Sequence, residues 1–430
     1  MEPQFPHKKL LHGKDQECEK ITNTLSSLNL SFVKTENADI AMPELSIKKL
    51  HLLPAILYTD ESLQEQLSSQ GPFTAPDNSY AYSHESSVSL SYSIDHMQLP
   101  CSVNMDRGGV ITRPDGSHAA CIADGLGGLG YQSTFVAHCI CQYFLTTFSQ
   151  QSMDFTSSAK WNNQLAKNTF LECARYVNNA LPNNISGAST ALFVECVPIG
   201  KKDEKAMYRV QIAALGDAMA IHINTAEGKA IPLTKINRKL NEYGKPDVSD
   251  CGGCIYSNNK IHLLENIVAV STEVSESDYI VLVTDGLLDN VREDNAVEII
   301  ELVISQPLFD QSWSDLRDYE RNWEHPLHPA LPTLADIKTF IAENAPYEQI
   351  DICSELTAGM ITRRLAAYTK LVTHQAWFLE DCHYLNEPVP DYMKIYAEKS
   401  KQEKGDPNNN TSPKPDDYMI ITIAPGAKQI

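Results

Sequence analysis

Long apolar runs are missing from this sequence. No stretch of about 18 consecutive apolar residues occurs in its 430 positions, so no membrane-spanning helix is expected. The first residues, Met1 to Asp15, are polar and charged and lack the basic segment followed by an apolar core that marks a cleavable secretion signal. Positive charge is scarce as well: 35 Lys and Arg stand against 55 Asp and Glu, a formal net charge of −20. A surface of that sign does not attract nucleic acid or anionic lipid by its overall field, so neither is an expected partner. Zinc-type spacing is also lacking, because Cys251-Gly252-Gly253-Cys254 has no second Cys-x-x-Cys or Cys-x-x-His to complete a site. The expectation is a soluble, cytoplasmic protein, with an unconventional export route left open.

What is present is a large core. With 42% hydrophobic residues over 430 positions, the chain can bury one extensive catalytic domain with extensions. Its 11 cysteines are odd in number and several lie in apolar segments, among them Cys121, Cys139, Cys141 and Cys196. They read as reduced core thiols rather than disulfides. Cys251-Gly252-Gly253-Cys254 reads as a glycine turn flanked by cysteines, given the turn signals around it.

Residues 1–78 form an N-terminal extension of unassigned role, and 79–430 the main domain. Ser87 to Ile94 alternates with period two, the mark of a half-buried strand. Further strand-like runs cover Ala119–Ala123, Thr190–Val197, Tyr208–Leu215, Met219–Ile223, Tyr279–Val283 and Met419–Ile423. Helical spacing appears over Tyr131–Ser149, Trp161–Ala180, Asn295–Ser305 and Ile352–Trp377. Neighbouring strands are expected to pair locally, as in a hairpin from Tyr208 to Ile223 turning at Gly216-Asp217. The helices come in long separate blocks. The expected class is therefore α+β, a central antiparallel β-sandwich flanked by helices. Gln306 to Tyr347 holds five prolines and two tryptophans and reads as an ordered, irregular insertion. Ala397 to Lys414, rich in lysine, asparagine and proline, reads as a flexible surface loop.

Candidate chemistry lies where carboxylates follow or precede these strands. Cys121-Ile122-Ala123-Asp124-Gly125-Leu126-Gly127-Gly128 runs an apolar segment into an aspartate and then glycines, and Val283-Thr284-Asp285-Gly286-Leu287-Leu288-Asp289 repeats the arrangement. Strand ends of this kind can deliver carboxylate and backbone oxygens to a hard divalent cation. Burying such a carboxylate without a cation is costly. Asn104-Met105-Asp106, Leu215-Gly216-Asp217-Ala218 and Asp416-Asp417-Tyr418-Met419 complete an ordered series with Gly187-Ala188-Ser189-Thr190-Ala191. Asp217 could equally serve the turn at Gly216.

In order and content this series, from about Ser87 to Pro425, resembles the metal-dependent serine/threonine protein phosphatases of type 2C. The resemblance implies two central antiparallel sheets between helices, with an acidic metal cluster at one edge. It implies two Mg2+ or Mn2+ ions, with a third in some members. Asp124 would bridge them, the Gly125 carbonyl would bind one, and Asp285 and Asp416 the other. Asp106 matches the first acidic motif and Asp217 the aspartate linked to the third ion. Asp289 and Asp417 would act from behind the ligands. Pro232-Leu233-Thr234 and the Cys251–Cys254 turn look like parts of the family's flap, at about 230–270. The implied reaction is hydrolysis of phosphoserine or phosphothreonine on a protein by attack of a metal-bridging water. A two-metal site lowers the pKa of that water and neutralises phosphoryl oxygens.

Three positions depart from the family pattern. Met105 stands where many members have a metal-holding glutamate, and a thioether is a poor ligand for magnesium. Cys101-Ser102-Val103 occupies the stretch of the family's phosphate-gripping arginine, leaving Arg107 or Arg113 as the candidate replacement. Leu126 replaces a histidine found in many eukaryotic members. The Leu126 replacement points to a branch of the family rather than to inactivity, whereas Met105, the missing arginine and the inserted segments motivate an alternative, a scaffold with the phosphatase fold that binds partners without efficient catalysis.

Overall fold

A computed structural model of the chain describes residues 50–52, 57–58, 82–87, 102–103, 105–113, 115–129, 132–150, 162–183, 185–241, 247, 250–291, 295–311, 331–344, 352, 356–384, 388–389, 393–394, 397–398, 413–414 and 416–427. In chain order the strands are β1 (Leu50–Leu52), β2 (Leu57–Tyr58), β3 (Tyr82–Ser87), β4 (Ser102–Val103), β5 (Arg107–Thr112), β6 (His118–Ala123), β7 (Ala188–Ser189) and β8 (Ala191–Lys202). They continue with β9 (Lys205–Leu215), β10 (Met219–Asn224), β11 (Lys229–Pro232), β12 (Cys254–Tyr256), β13 (Ile261–His262), β14 (Val268–Ser275), β15 (Tyr279–Val283) and β16 (Tyr418–Ile423). The α-helices are α1 (Ser133–Gln150), α2 (Asn163–Ala180), α3 (Asp285–Leu288), α4 (Ala296–Ile304), α5 (Leu334–Asn344) and α6 (Ala358–Tyr384).

Two antiparallel sheets organise the molecule. One runs β1-β5-β6-β8-β9-β14 and the other β11-β10-β15-β16-β3. Central strands such as β6, β15 and β16 are apolar on both faces because each face meets a different core. On β6, Ala119, Cys121 and Ala123 pack under α1 and α2, while Ala120 and Ile122 face the opposite sheet. On β16, Ile421 and Ile423 join that same inter-sheet core, and Tyr418 and Ile420 face α3 to α6. The period-two alternation of strand side chains thus yields four layers, α-β-β-α, as expected from the sequence. Cys121, Cys139, Cys141, Cys173 and Cys196 are buried free thiols. Among the described residues, no helix is long and apolar enough to cross a membrane.

The largest departure concerns the expected hairpin from Tyr208 to Ile223. β9 pairs with β8 and β14 in the first sheet, whereas β10 pairs with β11 and β15 in the second. Gly216, at a φ of 112° that favours glycine, therefore carries the chain between sheets rather than around a hairpin. The tight hairpin lies one connection earlier. β8 and β9 meet at Asp203-Glu204, both at positive φ, which matches the twist of a two-residue turn. Both strands consequently run further than their apolar segments suggested. The last helix starts at Ala358 rather than Ile352, because the Thr357 hydroxyl accepts the Met360 N–H at 3.2 Å and caps the first turn.

Part of the N-terminal extension joins the sandwich, since Leu50–Leu52 pairs with Gly109–Ile111 at the sheet edge. The rest of residues 1–78, apart from β2, lies outside the described residues, as do residues 88–94 of the expected first strand. Of the insertion at 306–347, a 3-10 turn (Pro307–Asp310) and α5 are described. Most of the loop at 397–414 is outside the described residues.

Candidate metal and phosphate site

Strand register brings the motif aspartates to one end of the sandwich. Arg107 pairs with Ala123, so Asp106 before β5 and Asp124 after β6 are neighbours. Val283 pairs with both Met219 and Ile420, which sets Asp285, Asp217 and the Asp416-Asp417 pair at the same end of the second sheet. The sheets stack, and carboxylates from well-separated parts of the chain meet. Glycine makes the closest approaches possible. A Cβ on Gly125 would stand 2.8 Å from the Met105 carbonyl oxygen, and one on Gly286 only 1.9 Å from that of Asp417.

Backbone and hydroxyl groups fix the carboxylates. The Thr284 hydroxyl donates to Asp106 Oδ2 at 2.7 Å and accepts the Met419 N–H at 2.8 Å. Thr190 holds Asp124 in two ways: its N–H donates to the Asp124 carbonyl and its hydroxyl accepts the Asp124 N–H. Asp417 Oδ2 accepts the Met105 N–H at 2.7 Å, and the Asp417 N–H donates to Asp416 Oδ1 at 2.9 Å. Met105 itself is buried. Arg107 is 1% exposed and donates from Nη1 to the Asp106 carbonyl, so a phosphate would reach it only if the surrounding strands opened. His138 and Cys141 are buried on α1, as packing residues.

Two cations that no motif announced sit inside this cluster. Arg238 donates from Nε and Nη2 to Asp217 Oδ2 at 2.8 and 2.6 Å, from Nη2 to Asp285 Oδ2 at 3.0 Å, and from Nη1 to Asp289 Oδ1 at 2.5 Å. Lys414 Nζ reaches Asp285 Oδ2 at 2.8 Å, Asp289 Oδ2 at 2.9 Å and Asp416 Oδ2 at 2.8 Å. Arg238 follows β11 in a segment without periodicity. Lys414 closes the segment expected to be a flexible loop, yet its backbone is pinned by two hydrogen bonds with the Asn290 side chain. The only sequence signal was a lysine two positions before Asp416.

The electrostatics divide the site. Burial alone would raise the Asp285 pKa, but Lys414 and Arg238 overcome it and hold it at about 2. Burial pushes Asp124 well above the usual carboxylate range, reinforced by the charges of Asp285 and Asp106. Burial and Asp285 likewise raise Asp106 to about 7. Asp217 is raised by burial and by Asp285 despite its bond to Arg238. Its Oδ1 is buried without a hydrogen-bond partner among the described residues.

No protein-family model matches this chain, and no curated protein matches it. Solved phosphatases do. The photosystem II phosphatase PBCP is 11% identical, with 75% of this chain and 92% of that chain covered and a TM-score of 0.38. The Mycobacterium tuberculosis serine/threonine phosphatase PstP/Ppp is 11% identical over 79% of this chain and 96% of that one, with a TM-score of 0.37. The PstP catalytic domain in complex with 2 manganese ions gives the same identity and coverage and a TM-score of 0.36. At this identity and overlap the similarity carries nothing about the chemistry of the present chain.

Among the described residues, no three carboxylate, histidine or cysteine groups stand around a common point that could hold a metal ion. The donor set nevertheless fits a hard cation at Asp124. Its carboxyl lies within hydrogen-bonding reach of both Asp106 and Asp285, a crowding of like charges that calls for a proton or a cation between them. Asp124 makes no ion pair with any described residue. Oxygen donors of this type match Mg2+ or Mn2+.

Proposed function

We propose that this chain is a divalent-cation-dependent phosphatase acting on phosphoserine and phosphothreonine of proteins. The observation that supports it best is the convergence of Asp106, Asp124, Asp217, Asp285 and Asp416, from both sheets, at one end of the sandwich. Asp124 and the Gly125 carbonyl would hold the cation, with Asp106 beside them. Asp285 and Asp416 share the Lys414 ammonium. Asp217 and Asp289 orient Arg238, and Asp417 fixes the Met105 backbone from behind. A bound cation would supply Lewis acidity and neutralise phosphoryl oxygens. Phosphate monoesters hydrolyse so slowly unaided that this electrostatic contribution is the main requirement, and no protein nucleophile is needed. Lys414 Nζ directs its three donors to Asp285, Asp289 and Asp416 and so orders these carboxylates.

A second reading, a partner-binding scaffold without efficient catalysis, is favoured by Met105 and by the two internal cations, which already pair with Asp217, Asp285, Asp289 and Asp416. Turnover of para-nitrophenyl phosphate with Mn2+ separates the two. Asp124→Asn should lower metal-dependent turnover at least about 100-fold, since changes merely behind a metal ligand cost about 10- to 100-fold. Wild type turning over no faster than Asp124→Asn would favour the scaffold.

A further inference from the structure

Arg238 and Lys414 together carry two positive charges, the charge of one divalent ion, and they are placed among the carboxylates expected to hold one. Asp285 Oδ2 accepts from both, at 3.0 and 2.8 Å, and Asp416 Oδ2 accepts from Lys414 at 2.8 Å. Asp289 is shared as well, Oδ1 accepting from Arg238 and Oδ2 from both Arg238 and Lys414. The guanidinium is 3% exposed and its five-donor fork is satisfied by aspartates on three sides, a geometry that a flexible surface arginine does not adopt. Both cations are held in place from outside the cluster. Lys414 is fixed through Asn290, whose Nδ2 also donates to the Gly286 carbonyl. The backbone at Arg238 lies against the glycine turn, where a Cβ on Gly252 would be 2.9 Å from the Asn237 carbonyl and 3.3 Å from the Arg238 nitrogen. That close approach gives Gly252 a packing role.

We propose that the site takes a single divalent cation, on Asp124 and the Gly125 carbonyl, and that Arg238 and Lys414 are built-in replacements for a second ion at Asp285 and Asp416. The physical reason is competition for the same oxygens. A second ion would have to displace two donors from Asp285 Oδ2 and one from Asp416 Oδ2, and would then sit beside two like charges. Asp124 is not among the ion-pair partners of either cation, so its carboxylate stays available. Met105 packs against Gly125, so the position where a glutamate could stand borders the retained site and not the one filled by Arg238 and Lys414. Arg238 and Lys414 are positioning residues in this scheme, fixing Asp285 and Asp416 in the absence of a second metal.

The inference rests on the cation-dependent function proposed above, and ion counting keeps the two apart. The full chain is stripped with a chelator, titrated with MnCl2, and its bound ions are counted by native mass spectrometry and by the loss of free Mn2+ signal in electron paramagnetic resonance. One ion per wild-type chain is expected, and a second in Lys414→Met, whose fold is checked by circular dichroism. Two ions on wild type would overturn the single-ion assignment and leave the phosphatase reading standing. No bound ion would overturn both. A folded Lys414→Met that still holds one ion would show that the ammonium group does not exclude the second and would also overturn the proposal. Should Lys414→Met fail to fold, the wild-type count alone decides.

Discussion

Glu195 offers a worked test of how this core handles charge. It lies in the middle of β8, opposite Ala119 on β6 and Gln211 on β9, and is 0% exposed. Neither carboxyl oxygen has a hydrogen-bond partner among the described residues. Burial raises its pKa from 4.5 to about 8, with Arg113 opposing and Asp115 adding slightly. A carboxyl whose folded pKa is raised stays protonated in the folded state while the unfolded chain ionises. Stability is therefore unaffected below pH 4.5, is lost progressively as pH rises from 4.5 to about 8, and loses no more above that. At 1.36 kcal/mol per unit, the loss is about 3 kcal/mol at pH 7 and about 5 kcal/mol once the folded state has ionised as well. Glu195→Gln keeps the shape and cannot ionise, so its pH-independent packing cost cancels when one follows the difference from wild type across pH. That difference, measured by urea unfolding in chelator at several values from about pH 5 to 8, should shift towards the variant by about 1.4 kcal/mol per pH unit. Parallel curves would refute the reasoning and mean that Glu195 is ionised in the folded protein.

Two more expectations are local. Gly286→Ala places a methyl group 1.9 Å from the Asp417 carbonyl oxygen and 2.9 Å from the Tyr418 Cβ, both on fixed elements. It should cost about 3 kcal/mol or more, at the upper end for overpacking, read as a lowered unfolding midpoint; an unchanged midpoint would show that the α3 and β16 starts separate easily. Cys251 has its pKa lowered to about 7, chiefly because the Cys254 side chain hydrogen-bonds to it, whereas burial raises Cys121, Cys139, Cys173 and Cys196. Brief alkylation of the folded protein should therefore modify Cys251 ahead of those four, with a rate rising through about pH 7. Peptide mapping that finds one of the core thiols modified first would count against it.

Much of this arrangement was legible in the residues themselves. Apolar runs of strand length fixed where β6, β15 and β16 lie, because strands covered on both faces leave no polar alternation to blur them. An aspartate at the end of such a run, followed by glycine, signalled that a carboxylate was to be presented beside closely approaching backbone. Gly125 and Gly286 now show the contacts that exclude a side chain there. The connection at Gly216 was not legible. An apolar run, a glycine turn and another apolar run look the same whether the strands pair with each other or part into two sheets. Only pairing with β14 and β15, far along the chain, decides between them.

Sequence alone thus determined which carboxylates are offered and at which strand ends, since those depend on local hydrophobic pattern and turn chemistry. What neutralises them was decided by the tertiary structure. Arg238 lies 21 residues from Asp217 and 47 from Asp285, and Lys414 lies 129 from Asp285. Each occurs in a polar stretch that a solvated surface would carry equally well. Long-range Coulomb attraction inside a desolvated pocket, available only once the two sheets have stacked, turns them from surface charges into the counter-ions of the site.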